Sequence, residues 1–424
     1  MSYQNTLEFA KMMDDKDPLR VFRHRFFIPQ HNGEDCVYFT GNSLGLQPRS
    51  TSKYLQQELD DWATMGVEGH FNARNPWMPY HEIFPKQLSK IIGCKENEVV
   101  VMNSLTVNLH LLMVSFYRPT KERYKIICEA KAFPSDQYAF ETQVRYHGYD
   151  PDDAIIEVGP REGEHIIRNE DIISTIKQHA KSTAVVLFGG VNYYNGQYFD
   201  LEAITETAQS IGAYAGFDLA HAAGNVDLRL HDWNVDFACW CSYKYLNSGP
   251  GGVAGVYINE KHATNTRLPR FAGWWGYTKD TRFKMEKGFE AIPTAEGWQL
   301  SNAPIFAMAA HNASLDIFDE AGMERLHAKR KMLAEYLLFI IDDCNERAGK
   351  KLIEVITPRK ENEKGCQVSM LMLKNGKEIF EALTKQGAVV DWREPNVIRV
   401  APVPLYNSFE DVYKFGSIVN RLIS

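Results

Sequence analysis

The chain has 424 residues, of which 44% are apolar and 24% charged, with a formal net charge of −7. This is the composition of a water-soluble globular protein long enough for two packed domains. The acidic balance and the lack of a Lys/Arg stripe argue against a nucleic-acid partner, and no apolar run is long enough to span a bilayer.

The N-terminus, Met1-Ser2-Tyr3-Gln4-Asn5-Thr6, has neither the basic start nor the apolar centre of an export leader, so a cytoplasmic address is expected. The seven cysteines include no Cys-x-x-Cys pair and are read as reduced and mostly core. Cys239 and Cys241 share one face of an expected strand, without a partner at metal-site spacing, and are read as packing; no metal is expected. Short apolar or β-branched runs at 98–102, 124–128, 154–158, 184–188, 214–218, 237–241 and 255–258 read as strands. Helical spacing at 169–181 and 201–212 between them implies crossover units and a mostly parallel sheet. Beyond 302–304 come a helical pattern through 317, another at 333–341, and strands at 353–356, 368–373, 389–391 and 397–400 around a helix at 377–386. The expected organisation is an N-terminal segment (1–60) packing with a small C-terminal α+β domain (306–424), and a large α/β domain (61–305) with a seven-stranded sheet flanked by helices.

Ligands of open α/β sheets collect beyond the carboxyl ends of the strands, so the residues there carry the functional reading. The strand at 98–102 is followed by Asn103-Ser104-Leu105-Thr106 and a helix, whose first amides and the Thr106 hydroxyl suit a phosphate; a plain Ser/Thr cap is the alternative. After Glu129 comes Ala132-Phe133-Pro134-Ser135-Asp136, where Phe133 is placed to stack on a planar ring or to join the core, and Asp136 to face the ring's phenolic oxygen. Asp218 ends the run Tyr214-Ala215-Gly216-Phe217 and precedes Leu219-Ala220-His221. Lys244 follows Cys239-Trp240-Cys241-Ser242-Tyr243 at the rim of an apolar strand, a setting that favours a neutral, imine-forming amine. A buried carboxylate that keeps a ring nitrogen protonated and an amine that bonds an aldehyde are the two demands of pyridoxal 5'-phosphate, and Asp218 with Lys244 supplies the pair. The glycines at 249–255 lack a clear following helix, so they are read as close backbone approach, not as a dinucleotide loop.

The segments Thr40-Gly41-Asn42-Ser43-Leu44-Gly45, Leu105-Thr106-Val107-Asn108-Leu109-His110, Phe133-Pro134-Ser135-Asp136, Asp218-Leu219-Ala220-His221, Ser242-Tyr243-Lys244-Tyr245-Leu246-Asn247 and Ile398-Arg399-Val400-Ala401-Pro402 together resemble kynureninases, over about residues 36–415. The resemblance implies a fold type I pyridoxal-phosphate enzyme, a homodimer that hydrolyses L-kynurenine or 3-hydroxy-L-kynurenine to an anthranilate and L-alanine. By that similarity Lys244 bonds the cofactor, Asp218 pairs with its ring nitrogen, and Leu105 and Thr106 take the phosphate. Phe133 and His221 flank the ring, Pro134, Ser135 and Asp136 complete the cradle, and Tyr243 reaches the phosphate and relays a proton. Trp274 and Asn302 are implied to come from the neighbouring subunit, while Arg399 clamps the substrate carboxylate. Where similar enzymes carry a serine this chain has Gly189, so only a backbone contact is expected there, and Trp275 departs from the family in size.

His70, Ser301 and Asn302 form a polar rim suited to an extra ring hydroxyl, which favours 3-hydroxykynurenine; a structural role for His70 is the alternative. A class V aminotransferase or a cysteine desulfurase shares the Asp and Lys logic, and a protein that binds the cofactor without turnover is a reading from a different class. A cysteine desulfurase needs an exposed reactive thiol, for which Cys366 is the one candidate, and a protein that binds the cofactor without turnover needs a missing catalytic position.

Overall fold

The structure is a computed structural model that describes residues 2–423. Seven strands form its larger sheet: β1 (Val99–Val101), β2 (Lys125–Glu129), β3 (Ile155–Val158), β4 (Thr183–Gly189), β5 (Tyr214–Asp218), β6 (Phe237–Trp240) and β7 (Gly255–Ile258). Their spatial order is β1-β7-β6-β5-β4-β2-β3, and only β7 runs antiparallel to its neighbours. Successive side chains point to opposite faces, and here both faces are covered. Ile126, Cys128, Val185, Leu187 and Cys239 pack on one side with Leu112 and Phe116 of α3 (Leu105–Phe116) and Phe140 of α4 (Pro134–Tyr146). Ile127, Val186, Phe188, Phe217 and Ala238 pack on the other with Ile172 and Ile176 of α5 (Asn169–Gln178) and Ile204 of α6 (Leu201–Ser210). Continuous apolar strands are the consequence of this double cover, and they are why the sheet was visible in the sequence.

A second, antiparallel sheet has the order β8-β9-β11-β10, from β8 (Ile353–Val355), β9 (Val368–Met372), β10 (Asp391–Arg393) and β11 (Val397–Val400). The helices α7 (Ile305–Ala321) and α8 (Met323–Arg347) precede it, and α9 (Gly376–Lys385) and α10 (Phe409–Ile423) pack with it. The strand expected at 389–391 is two elements: Ala388–Val389 pairs in parallel with Val37–Tyr38, and β10 starts after Val390. A run that changes partners cannot be split by its own alternation. Among the described residues, no helix is long and apolar enough to cross a membrane.

Residues 2–50 run across both sheets' cores. Phe9, Ala10 and Met13 of α1 (Leu7–Lys16) lie in the core of the smaller sheet, while Leu19, Phe22 and Phe26 belong to a core of the larger. Between them the Lys329 ammonium of α8 meets Asp17 at 2.6 Å, both side chains buried. Further on, Gly41 and Gly45 pass where no side chain fits: a Cβ on Gly41 would lie 2.3 Å from the Tyr406 hydroxyl, and one on Gly45 2.3 Å from the Lys244 carbonyl oxygen. The Gly-Asn-Ser-Leu-Gly motif thus lies directly on the Lys244 turn, and the Gly45 amide donates to the Tyr243 carbonyl at 2.8 Å.

Truncating Lys329 would leave Asp17 buried beside other carboxylates. Lys329→Ala is therefore expected to lower unfolding stability by about 3–5 kcal/mol, read from the urea midpoint, the range for breaking a buried ion pair.

Candidate active site

The carboxyl ends of β2, β4, β5 and β6 lie side by side, and Gly189, Asp218 and Cys239 are abreast in the register. A cleft opens beyond them. Of the residues anticipated from sequence, Leu105, Thr106, Phe133, Ser135, Asp136, Asp218, His221, Tyr243 and Lys244 line it. The Lys244 amine projects into the cleft with Nζ 3.0 Å from His221 Nε2 and 5.7 Å from the centre of the Phe133 ring.

At one wall Ser104 precedes α3 in an extended conformation, yet its hydroxyl makes no capping bond. The first amides of α3 therefore stay open beside the Thr106 hydroxyl, the arrangement that binds a dianion, and the plain-cap alternative is not what forms. Opposite, Asp218 Oδ1 accepts from the Ala220 amide at 2.7 Å. Burial pushes the Asp218 carboxyl up, opposed by that amide, by Lys244 and by a hydrogen bond from Asp136. Asp136 is pushed much further up, by burial and then by the Asp218 charge, so it holds the proton and Asp218 is the ionised member of the pair. Asp136, expected at the phenolic oxygen of a bound ring, lies in the first turn of α4, lines the cleft and is hydrogen-bonded to Asp218.

Burial and the nearby Lys244 hold the His221 imidazole far below its usual range, so it is neutral near pH 7. The Tyr243 phenol is pushed up by burial and by Cys241, and keeps its proton. Two polar atoms of these residues, Asp136 Oδ1 and His221 Nδ1, are buried without a hydrogen-bond partner. Arg399 is fully buried in β11; its Nη1 donates to the Tyr193 carbonyl at 2.6 Å and its Nη2 to Asp391 Oδ2 at 2.6 Å, while Nε has no partner.

Cys366 is buried and its thiol is pushed up to about 12 by that burial, so it lacks the exposed, ionisable sulfur of a desulfurase nucleophile. Comparison with known proteins agrees with the cleft. A kynureninase of Flavobacterium psychrophilum is 56% identical over 421 residues, covering 99% of both chains. The human kynureninase is 47% identical over 98% of this chain and 92% of its own. The chain belongs to the kynureninase family. Residues 326–419 match the Kynureninase C-terminal domain. By fold it is similar to a cystine C–S lyase (TM-score 0.75, 14% identity, 91% of this chain and 97% of the other). A cysteine desulfurase of Thermococcus onnurineus gives a TM-score of 0.72 at 18% identity, over 92% of this chain and 94% of the other. The fold is thus that of fold type I pyridoxal-phosphate enzymes.

Six residues anticipated from sequence do not line the cleft of the single chain: Pro134, Arg399, His70, Trp274, Ser301 and Asn302. Pro134 is the first residue of α4, and Arg399 reaches the site through Tyr193, which does line it. His70 makes a T-shaped contact with Trp77, its rings 5.4 Å apart, and its Nδ1 lies 3.0 Å from the Val67 carbonyl. Trp274 is 40% exposed and donates from Nε1 to the Arg282 carbonyl at 3.2 Å, while Ser301 and Asn302 are exposed. Trp275, the residue unusual in size, is fully buried against the Arg282 guanidinium.

Glu129, Val191, Tyr193, Ala220 and Cys241 also line the cleft, and sequence reasoning gave none of them a role in the site. Glu129, the last residue of β2, is buried, and its Oε2 accepts from the Gly189 amide at 2.6 Å. A Cβ on Gly189 would stand 2.9 Å from Glu129 Oε1, which gives a local reason for glycine there. Its signal was a carboxylate at a strand's carboxyl end, the same signal that marked Asp218. Burial pushes Glu129 up to about 7, so the fold binds its proton more tightly than the unfolded chain. Its stabilising protonation is then fully present below about pH 4.5 and lost as pH rises through about 7, a change of up to about 3 kcal/mol. In cofactor-free protein, Glu129→Gln is expected to remove this dependence, so that its urea midpoint relative to the parent rises between about pH 5 and about pH 8.

Proposed function

We propose that this chain binds pyridoxal 5'-phosphate in the cleft and hydrolyses the Cβ–Cγ bond of L-kynurenine or 3-hydroxy-L-kynurenine, giving anthranilate or 3-hydroxyanthranilate and L-alanine. The observation that carries the proposal is the cleft itself, where Lys244 and the ionised Asp218 stand on its lining in a chain 47–56% identical to kynureninases over almost its whole length. Open α3 amides, an ionised carboxylate and orphaned polar atoms on Asp136 and His221 fit a flat, cationic ring that carries a phosphate. Leu105, Thr106 and Tyr243 would hold the phosphate, Asp218 the ring nitrogen, Phe133 and His221 the two faces, and Pro134, Ser135 and Asp136 the remaining edge. When bound, the cofactor supplies an electron sink for the pair released at Cα and later for the pair released when the carbon–carbon bond breaks.

The residues do the rest. Lys244 would take the Cα proton, and its contact with the neutral His221 imidazole keeps it pointed into the cleft. Asp218 stays charged because Asp136 carries the pair's proton, and so it holds the ring nitrogen protonated. Arg399 receives the substrate carboxylate, with Asp391 and the Tyr193 carbonyl fixing the plane of its fork. Water adds across the ketone, its hydroxyl ending on the anthranilate carboxyl. The remaining hydrogen is delivered to Cβ of the nascent alanine, for which the protonated Tyr243 phenol is the donor.

We further propose a homodimer in which Trp274 and Asn302 reach into the neighbouring copy's site, with His70, Ser301 and Asn302 forming the rim that accepts the 3-hydroxyl. Their separation from the single-chain cleft supports this reading. So do the exposed Phe271, Trp274, Phe283, Met285 and Phe289, an apolar group of the kind a subunit contact covers. We place the reaction in the cytoplasm, in tryptophan breakdown and the supply of pyridine nucleotides, and retain the division at 1–60, 61–305 and 306–424 as the domain organisation.

Lys244→Ala is expected to abolish both anthranilate production and the visible absorbance of bound cofactor; full turnover in that variant would end the proposal. Arg399→Ala should weaken substrate binding by about 2–5 kcal/mol, the range for breaking a buried charged pair, and an unchanged KM would remove Arg399 from the site.

A further inference from the structure

His70, Trp274, Ser301 and Asn302, which lie outside the single-chain cleft, sit on two stretches of chain. One runs through residues 66–83; the other, residues 270–302, is a strap between β7 and α7. The two limbs of the strap pair with each other: the Thr278 amide donates to the Glu290 carbonyl at 2.9 Å and the Ile292 amide to the Gly276 carbonyl at 2.9 Å. Lys279 lies on one limb and Glu296 on the other. Both turn toward the short helical turn Tyr80–Ile83 that ends the first stretch. His81 Nε2 lies 2.7 Å from Glu296 Oε2, and the Lys279 ammonium bonds both Glu82 and Glu296 at 2.7 Å.

We infer that His81, Glu82, Lys279 and Glu296 form a clamp that fixes the two stretches to each other, so that the chain presents His70, Trp274, Ser301 and Asn302 to a neighbouring copy as one preassembled half-site. This rests on the reading above that Trp274 and Asn302 serve a neighbouring site. The imidazole is buried, which makes its bond to Glu296 a fixed link and not a transient surface pair. The carboxylate is held down to about 2 by His81 and Lys279 against the cost of its burial, so it is charged throughout the working range. His81, Glu82 and Glu296 would suit a metal ion by their spacing, but the Lys279 ammonium already provides the cation between the two carboxylates.

Each end of the clamp is also rooted. Next to His81, the Tyr80 hydroxyl and the Trp77 indole donate to the buried Glu58 of α2 (Thr51–Met65) at 3.0 and 2.9 Å, and Trp77 carries the His70 ring. Next to Glu296, Trp298 donates to Ser115 of α3 at 3.0 Å. The strap's own backbone leaves no slack: a Cβ on Gly273 would lie 2.2 Å from Leu300, and one on Gly276 2.7 Å from the Gln299 carbonyl. A shift of Glu296 therefore moves Trp274 and the 300–302 segment together. These four are positioning residues, since none lines the cleft.

The test is steady-state kinetics of the holoenzyme with L-kynurenine and 3-hydroxy-L-kynurenine. Glu296→Ala should raise KM about tenfold, change kcat by less than about threefold, and alter the ratio of specificity constants for the two substrates. Glu296→Gln, which keeps the hydrogen bonds, should recover most of the loss, and trypsin should cut the Ala variant faster after Lys284 and Lys287. A folded Glu296→Ala with unchanged KM and unchanged ratio overturns the clamp. Should that variant fail to fold, Lys279→Met, at a partly exposed position, carries the same expectation and the same refutation. Trp274→Ala and Asn302→Ala separate the two layers. If they leave KM and kcat unchanged, the shared-site reading falls and the clamp with it; if they impair activity while Glu296→Ala and Lys279→Met do not, only the clamp falls.

Discussion

Three carboxyl groups, Glu129, Asp136 and Asp218, are buried at adjoining strand ends beside a single amine, Lys244, and they cannot all be charged at once. Unpaired charge in a dry site is expensive, so the protons are held unevenly, Asp136 keeping its proton most tightly and one carboxylate giving its proton up first. The Ala220 amide and the Asp136 hydrogen bond select Asp218 as that carboxylate. Much of the site can be read as support for this outcome. Glu129 is anchored on the Gly189 amide and fills the space beside it, and His221 stays neutral beside Lys244. A cleft that fixes one anion against one amine before any ligand arrives has little left to reorganise during reaction.

The surrounding architecture keeps that arrangement in register. Gly45 lies against the backbone of the Lys244 turn, Ser43 bonds Asp391 at 2.6 Å, and Asp391 bonds Arg399, so one N-terminal loop braces both the lysine's turn and the guanidinium. The segment before this loop spans the cores of both sheets, with the buried Lys329–Asp17 pair at the crossing. The N-terminal fifty residues thus link the smaller sheet, which carries Arg399, to the Lys244 turn.

The residues proposed for the site are of two kinds. Those on strand ends and first helical turns line the cleft, while those on the 66–83 and 270–302 stretches do not. The second group lies among exposed aromatic side chains and is braced by buried polar contacts, a combination that spends stability on holding a surface shape. Such bracing has a function when the shape must fit a partner, because an interface preordered on one side loses less entropy on assembly.

The sequence by itself determined the strands of the large sheet, the crossover helices and the strand-end residues Thr106, Phe133, Asp218 and Lys244, because a sheet covered on both faces prints unbroken apolar runs and the residue after each run is fixed by where the run stops. It also carried the family, in motifs spread from Gly41 to Arg399. What only the tertiary structure decided was how those ends meet: that Asp136 leans on Asp218, that Glu129 fills the space beside Gly189, that the run at 389–391 serves two sheets, and that His81 and Glu296, more than two hundred residues apart, share a proton-bearing contact. Local patterning encodes which face of an element is buried, but charge pairing and proton placement depend on distances between elements, and those exist only after the chain has packed.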